Sequence, residues 1–168
     1  MNKRIKDIIE YIIIIIVVLL FRKFMFSPIR VTGNSMVPTL RDGDIMILNK
    51  IGYSIKGLNR FDIVVINNDN EKIIKRVIGL PGEHVEYSDN KLYINSKLVE
   101  EPYERKDMED FVLEELGENK IPEGKYLVLG DNRPISKDSR IIGLIDKKEI
   151  DGYTSIVVFP FKRIKNAK

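Results

Sequence analysis

Three short stretches of the sequence combine residue types that could act together in a reaction. Ser35 lies in the segment GNSMVPTL (33–40), and Lys75 lies in KIIKRVIGL (72–80). The third stretch, GDNRPISKDSR (130–140), is rich in charged and hydroxyl side chains. A serine hydroxyl attacks a carbonyl carbon only when a nearby base removes its proton. The chemistry therefore depends on which side chain could serve as that base.

Ser35 by itself is weak support for catalysis. The residues before it, Gly33 and Asn34, form a natural tight turn, and serine is a common turn residue. The one histidine, His84, follows a Pro-Gly turn in LPGEHVEY, where we expect an exposed residue at a strand end. A Ser-His-Asp triad is therefore poorly supported by this sequence.

A lysine can replace histidine as the base if its amine is neutral. This requires its pKa to fall from ~10.4 toward ~7–8, which burial away from water achieves. Strand alternation puts Lys75 in an apolar row between Ile73 and Val77, where its charge would be suppressed. The alternative is an edge-strand lysine whose ammonium group reaches water. The adjacent Arg76 cannot act as a base, and we expect it to pair with a carboxylate.

The polar stretch at 130–140 admits two interpretations. It follows a predicted strand and contains Asp, Arg, Ser and Asn side chains. One interpretation is a solvated surface loop. The other is a loop that supports a reactive pair, in which a serine hydroxyl orients an amine and an Asp–Arg pair stiffens the backbone.

The elements that must position these residues are predominantly strands. After Pro28, short Ile- and Val-rich runs alternate with turn residues, and they lie at 44–48, 61–66, 72–80, 125–130 and 153–159. The stretch 84–99 predicts a hairpin with Ser88-Asp89-Asn90 as its turn. These patterns predict a mainly β domain of antiparallel sheet over residues 27–168.

Residues 102–124 interrupt the strand pattern with an acidic segment. Phe111, Leu113 and Leu116 are spaced roughly as on a helix. We expect a small insertion between strands that presents a solvated acidic face.

The N-terminus predicts a membrane anchor. A short basic segment (1–7) precedes an apolar run, and residues 8–26 have the length of a transmembrane helix. A cleaved signal peptide is the competing interpretation, but the following FRKFMFSPIR offers no small-x-small cleavage site. Basic residues flank the run on both sides, so charge does not fix its orientation.

Composition excludes several classes of function. The 168 residues include no cysteine and one histidine, which rules out thiolate chemistry and His- or Cys-based metal sites. The net charge of +3 is too small to indicate a nucleic-acid partner. Neither a Walker phosphate loop nor a G-x-G-x-x-G motif occurs. We therefore expect no cofactor, no metal and no nucleic acid.

Four segments together, GNSMVPTL, FDIVVI, KRVIGLPGE and GDNRPISKDSR, resemble in order the motifs of bacterial type I signal peptidases. Those are membrane-anchored serine proteases that remove signal peptides from exported proteins, and the resemblance covers nearly the whole chain. It implies an antiparallel β catalytic domain of the signal-peptidase/LexA-like type, preceded by one transmembrane helix. It also implies that Ser35 is the nucleophile and Lys75 is the general base.

The resemblance assigns supporting roles to further residues. Ser136 matches a serine that orients the lysine amine, and Asp138 and Arg140 match a structural ion pair. It places Asp131, Asn132 and Arg133 in the same supporting loop. Together with Arg76, the supporting set would be Ser136, Asp138, Arg140, Asp131, Asn132 and Arg76. The oxyanion would bind at the nucleophile loop formed by Gly33, Asn34 and Ser35. Gly33 lacks the hydroxyl that some family members carry at this position; glycine there is common in Gram-positive members. Phe61 also departs from the pattern, because glycine is common at its position.

Substrates of the family have small residues, typically alanine, at the first and third positions before the cut. Shallow apolar pockets would impose that limit, and we expect their lining to include Val31, Met36, Leu40, Ile73 and Ile74. The implied partners are precursor proteins that bear signal peptides, together with membrane lipid. The resemblance places the protein in the cell membrane as a single-pass protein whose catalytic domain lies on the extracytoplasmic face.

Two other interpretations remain open. A self-cleaving repressor of the LexA type shares the β fold and the Ser-Lys pair, but it carries a DNA-binding helix-turn-helix where this chain has an apolar run. A catalytically silent, membrane-anchored binding module would keep the fold without the chemistry. The presence of both Ser35 and Lys75 argues against that second alternative.

Overall fold

The computed structural model describes residues 3–50, 52, 57–68 and 71–167. Its strands are β1 (Phe26–Arg30), β2 (Ile45–Asn49), β3 (Ile63–Asn68), β4 (Glu71–Gly79), β5 (Val85–Ser88), β6 (Lys91–Ile94), β7 (Lys97–Val99), β8 (Phe111–Val112), β9 (Lys125–Leu129), β10 (Ile145–Asp146), β11 (Ile150–Phe159) and β12 (Lys165–Asn166). The helices are α1 (Lys3–Met25) and α2 (Ser139–Ile142), with short 3-10 turns η1 (Leu113–Leu116), η2 (Lys147–Glu149) and η3 (Phe161–Arg163). Each predicted strand is present, with its ends shifted by a few residues.

Most strands form one large antiparallel sheet in the order β1-β2-β11-β3-β4-β9-β10, and β12 pairs with β11. The predicted mainly antiparallel β architecture is therefore confirmed. Strand β4 lies between β3 and β9, and its residues from Ile74 onward are buried in succession rather than alternately. This continuous burial is typical of a strand that is covered on both faces.

A second, four-stranded sheet has the order β7-β6-β5-β8. The predicted hairpin is β5–β6, and its turn residues Asp89 and Asn90 have φ of 49° and 61°, as two-residue hairpin turns require. Side chains from this sheet, including Tyr87 and Leu92, share a buried cluster with Ile78 of β4. The small sheet is thereby packed against β4 of the large sheet.

The acidic segment 102–124 forms no α-helix, although its apolar spacing resembles one. Phe111 lies instead on β8, which pairs with β5, and Leu113 begins the single 3-10 turn η1. That turn ends at Gly117, which has a left-handed φ of 79°. Phe111 and Leu113 are both buried, so pairing with β5 and core contacts override the helical spacing.

Helix α1 precedes the sheets, and every side chain from residue 4 to residue 19 is exposed. The helix ends at Met25, shortly before Pro28, and Phe26 already belongs to β1, where the anchor was predicted to extend to residue 26. Among the described residues, no helix combines the length and the apolar character needed to cross a membrane.

Candidate active site

Ser35 and Lys75 meet in the folded chain. Ser35 lies in the turn that follows β1, and Lys75 lies in the middle of β4. The Lys75 Nζ donates a hydrogen bond to the Ser35 Oγ at 2.9 Å. This contact joins residues that are 40 positions apart in the sequence.

Residues 33–40 contain the predicted nucleophile and form the nucleophile turn. Hydrogen bonds between nearby residues and burial of its apolar side chains hold this turn in place. Gly33 has a left-handed φ of 82°, which glycine adopts without steric cost, and its N–H donates to the Asp42 Oδ1 at 2.9 Å. After Ser35, the side chains of Met36 and Leu40 are buried in a cluster with residues of the large sheet. The Leu40 N–H also donates to the Met36 carbonyl at 2.8 Å. The Ser35 side chain remains partly exposed, next to the buried amine of Lys75.

The Lys75 amine is deprived of water. Lys75 is 3% exposed, so the prediction of a buried lysine is confirmed and the alternative of an ammonium group that reaches water is wrong. Burial lowers the pKa of Lys75 to about 8, while the carboxylates of Asp138 and Asp131 act in the opposite direction. The neutral fraction of the amine is therefore about one tenth at pH 7 and about one half at pH 8, far above that of an ordinary lysine.

Arg76, next to the lysine, forms a fully buried ion pair. Its Nε and Nη2 donate to the two carboxylate oxygens of Asp131 at 2.9 and 2.7 Å, and both side chains are 0% exposed. The Arg76 Nη1 donates to the Phe61 carbonyl at 2.9 Å. The expected carboxylate partner of Arg76 is thus Asp131, and the pair ties β4 to the 130–140 loop.

The 130–140 loop is a folded support and not a solvated surface loop. The Asn132 N–H donates to the Ser35 carbonyl at 2.9 Å, and its Nδ2 donates to the Asn34 carbonyl at 3.1 Å. Asp138 accepts from Arg140 Nε at 2.9 Å and from the Gly130 N–H at 3.0 Å. The loop therefore binds the nucleophile turn directly and is braced by an Asp–Arg pair.

Ser136 lies in the same loop and is buried, with 4% exposure. Its Oγ hydrogen-bonds none of the described groups. It packs against Gly130, where an added Cβ would lie 2.2 Å from the Ser136 Oγ and 2.5 Å from the Ser35 carbonyl oxygen. Only glycine fits there, because the second of these neighbours is backbone. The orientation of the Lys75 amine by Ser136 stays a prediction.

An open groove runs beside the Ser35–Lys75 pair. It is lined by Thr32, Ser35, Glu71, Lys72, Ile73, Ile74 and Lys75. Strand β4 pairs with β3 from Glu71 onward, whereas its pairing with β9 begins only at Arg76, so the other edge of 71–75 has no strand partner among the described residues. Such an edge can accept an extended peptide.

The five residues predicted to line the substrate pockets fall into two groups. Ile73 and Ile74 line the groove, the first half-buried and the second 9% exposed. Val31, Met36 and Leu40 belong to the buried cluster of the large sheet and do not line that groove. The nucleophile turn needs these three side chains as its anchors in the core.

Donors for an oxyanion are few. The Ser35 backbone N–H hydrogen-bonds no described residue and remains available. The Gly33 N–H is taken by Asp42.

His84 lies elsewhere, with its Nε2 3.0 Å from the Glu114 Oε1 at the small sheet, as expected for a residue outside the reactive pair.

Sequence reasoning missed two partly buried residues beside the loop, Glu101 and Tyr103, and the packing role of Phe61. Tyr103 covers the Arg76 guanidinium, whose carbon lies 3.8 Å from the ring centroid, and Glu101 accepts a hydrogen bond from Arg133 at 2.6 Å. Phe61, at the unusual position, has a left-handed φ of 72° and packs its ring edge-on against Tyr103 at 5.4 Å. Glu101 sits in a run of acidic residues, and nothing in the sequence distinguishes it from its exposed neighbours.

Comparison with known proteins agrees with this arrangement. The family described as "Signal peptidase, peptidase S26" matches residues 4–159. Signal peptidase IB of Staphylococcus aureus (strain COL) is 43% identical, over 96% of this chain and 94% of that protein. Signal peptidase I of Bacillus licheniformis is 45% identical, over 92% of this chain and 88% of that protein. The crystal structure of a signal peptidase I from Enterococcus faecalis V583 aligns with a TM-score of 0.53 and 38% identity, covering 57% of this chain and 95% of that chain.

Proposed function

The chain belongs to the signal peptidase family, peptidase S26, and we propose that it removes N-terminal signal peptides from exported precursors by means of Ser35 and Lys75. The observation that carries the assignment of these two residues is the 2.9 Å hydrogen bond from a buried lysine amine to a serine hydroxyl beside an open groove. A silent binding module would have no need to keep a desolvated amine against that hydroxyl, because burying it costs free energy.

The reaction is acyl transfer in two stages. Neutral Lys75 takes the hydroxyl proton as the Ser35 Oγ bonds to the scissile carbonyl carbon, and the resulting ammonium gives that proton to the leaving amine. The mature protein departs, and the signal peptide stays on Ser35 as an ester. Lys75 next takes a proton from the water that attacks the ester carbonyl. The bond between that carbon and the Ser35 Oγ then breaks, the ammonium returns the proton to Oγ, and the signal peptide leaves with a free carboxyl terminus. The Ser35 N–H stabilises the oxyanion in both stages.

The pKa of Lys75 predicts the pH dependence of cleavage. Below pH 8 the amine is increasingly protonated and cannot accept the serine proton, so kcat/KM should fall about tenfold per pH unit there. Above pH 8, kcat/KM should level off, because the amine is then mostly neutral. A pH profile of kcat/KM measures this limb, and His84→Asn should leave it in place. An acid limb that disappears in His84→Asn would assign the base to that histidine instead.

The groove supports a preference for small side chains next to the cut. An extended peptide on the free edge of β4 would face Ile73 and Ile74, whose apolar side chains leave shallow pockets. The test is a precursor with an Ala-x-Ala site, incubated with the full chain in detergent. Phenylalanine at the first or third position before the cut should abolish cleavage, whereas the same change at the second position serves as the matched control. Equal cleavage of all three would contradict the specificity, and no cleavage at all would favour the silent binding module.

Helix α1 is proposed as a single-pass anchor that leaves the catalytic domain on the extracytoplasmic face. The proposal is supported by the uncharged, exposed run from Tyr11 to Leu19. Glu10, Arg22 and Lys23 would then lie at the two interfaces. Anchoring would raise the local concentration of a membrane-bound precursor. Membrane fractionation of the full chain beside a variant that lacks residues 1–25 tests the anchor, and equal recovery of both in the soluble fraction would contradict it.

A further inference from the structure

Glu101 is a buried carboxylate in an otherwise mostly exposed acidic segment, and its side chain is 6% exposed. Its Oε1 accepts hydrogen bonds from Arg133 Nη2 at 2.6 Å, from the Tyr103 hydroxyl at 2.5 Å and from the Tyr87 hydroxyl at 2.9 Å. Its Oε2 accepts from Arg105 Nε. Burial opposes ionisation, but Arg133 and these hydrogen bonds hold the pKa of Glu101 below its ordinary value. The side chain is therefore a fixed negative charge.

Arg133, which Glu101 holds, is a structural part of the 130–140 loop. Its side chain is 1% exposed, and its Nε donates to the Gly130 carbonyl at 3.0 Å. Its own carbonyl accepts from Arg140 Nη2 at 2.6 Å. The Gly130 N–H meanwhile donates to Asp138. The backbone of Gly130 is thus hydrogen-bonded on both sides: Arg133 donates to its carbonyl oxygen, and Asp138 accepts from its N–H.

Residues 130–132 form a wall against which the backbone of Ser35 packs. The Asn132 N–H donates to the Ser35 carbonyl at 2.9 Å, and Gly130 approaches that same oxygen so closely that no Cβ fits. A displacement of this wall would carry the Ser35 carbonyl with it. The hydrogen bond between Ser35 and Lys75 would then lengthen, because Lys75 is fixed in β4.

The segment between β7 and β8, which contains Glu101, also contacts the Arg76–Asp131 ion pair. The Tyr103 ring covers Arg76, and the Lys106 N–H donates to the Asp131 carbonyl at 2.9 Å. The chain that connects β7 with β8 therefore contacts both halves of the Arg76–Asp131 pair. The small sheet is in this way linked to the nucleophile through one continuous set of buried contacts.

We propose that Glu101 is a positioning residue for Ser35, which acts by holding Arg133 against the Gly130 carbonyl and thus fixing the wall at 130–132. The inference rests on the proposed function, since its effect is expressed in the rate at which Ser35 attacks. A shift of about 1 Å in a reacting group lowers the rate by roughly 10²-fold. Loss of Glu101 should therefore lower kcat by about that factor and leave KM little changed.

The experiment separates positioning from mere stability with a double variant. Glu101→Leu leaves the Arg133 charge buried without its counter-ion, so both Tm and kcat should fall. Glu101→Leu combined with Arg133→Met removes both charges, so Tm should recover in part, because the Tyr87 and Tyr103 hydroxyls still lack their acceptor, while kcat stays about 10²-fold low. Glu101→Gln keeps an acceptor for Arg133 and should retain nearly full kcat. The exposed neighbour change Glu104→Leu is the matched control and should alter neither quantity.

Recovery of kcat together with Tm in the double variant would overturn the proposal, as would a wild-type kcat in Glu101→Leu at a temperature where it is folded. Amide hydrogen exchange gives a second readout that needs no substrate. Protection of the Asn132 N–H should fall by at least about tenfold in the double variant, and unchanged protection would overturn the proposal. Failure of the wild-type chain to cleave any precursor would instead count against the proposed function, and the exchange measurement would still decide the role of Glu101.

Discussion

Replacement of Lys75 by methionine should lower kcat by at least about 10³-fold while KM changes little. A positioned general base contributes roughly 10²–10⁴-fold, and removal of the base from a serine protease pair can cost still more, because nucleophile and base act as a unit. Methionine fills the volume of the lysine stem but cannot accept the Ser35 proton. The measurement is single-turnover cleavage of a precursor with an Ala-x-Ala site.

The same variant should fold at least as stably as the wild type. Burial of an amine is costly, and Lys75 lies opposite Val64 of β3 with apolar residues on either side of it along its face of β4, so methionine suits the site. Thermal unfolding should therefore give an unchanged or higher Tm. Lys97→Met changes an exposed lysine on β7 and should leave both cleavage and Tm as they are. Full activity of Lys75→Met would mean that another group takes the serine proton.

Replacement of Asp131 by asparagine should lower the free energy of unfolding by about 3–5 kcal/mol, which is the usual cost of removing one partner from a buried ion pair. Both side chains of the Arg76–Asp131 pair are 0% exposed, so the Arg76 charge would lose its counter-ion without access to water. For a chain of this size the loss corresponds to a fall in Tm of about 6–20 °C. Thermal or urea unfolding of the full chain measures it.

An exposed ion pair supplies the matched control for Asp131→Asn. Lys148, whose side chain is 82% exposed, lies 3.8 Å from Asp146, and Lys148→Ala should change stability by less than about 0.5 kcal/mol. Asp131→Asn should also move the acid limb of kcat/KM to lower pH, because the Asp131 carboxylate raises the pKa of Lys75. A fall in Tm of less than about 2 °C would show that the buried pair contributes little.

Local pattern indicated that Lys75 could be buried, because it lies in an apolar row of a strand, whereas its pairing with Ser35 was predicted only from the ordered motifs that resemble a known family. Lys75 lies between apolar residues in a strand, and its 3% exposure follows from the central place of β4. Arg76, on the opposite face of the strand, is also fully buried, and the sequence did not identify Asp131 as its partner. Both residues are buried because the segments on both sides of β4 cover it, and their positions depend on contacts far apart in the sequence.

Long-range contacts account for the remainder of what sequence could not predict. Glu101 and Arg133 are 32 positions apart, and no local pattern marks one carboxylate of an acidic run as the buried one. Phe111 was assigned to a helical spacing, but its pairing with β5 depends on the hairpin that precedes it. Val31, Met36 and Leu40 pack with Ile74 in one buried cluster, and only Ile74 of these four lines the groove; a pocket role for the other three stays a prediction.

The most direct measurement compares cleavage of one Ala-x-Ala precursor by the wild-type chain and by Ser35→Ala, with the N-terminus of the product sequenced. If Ser35 is the nucleophile that removes signal peptides, the wild type yields a product that begins immediately after the Ala-x-Ala site. Ser35→Ala, whose fold should be unaffected by loss of a partly exposed hydroxyl, then yields less than about 0.1% of that rate. Cleavage by Ser35→Ala at the wild-type rate, or wild-type cleavage at unrelated positions, would contradict the central claim.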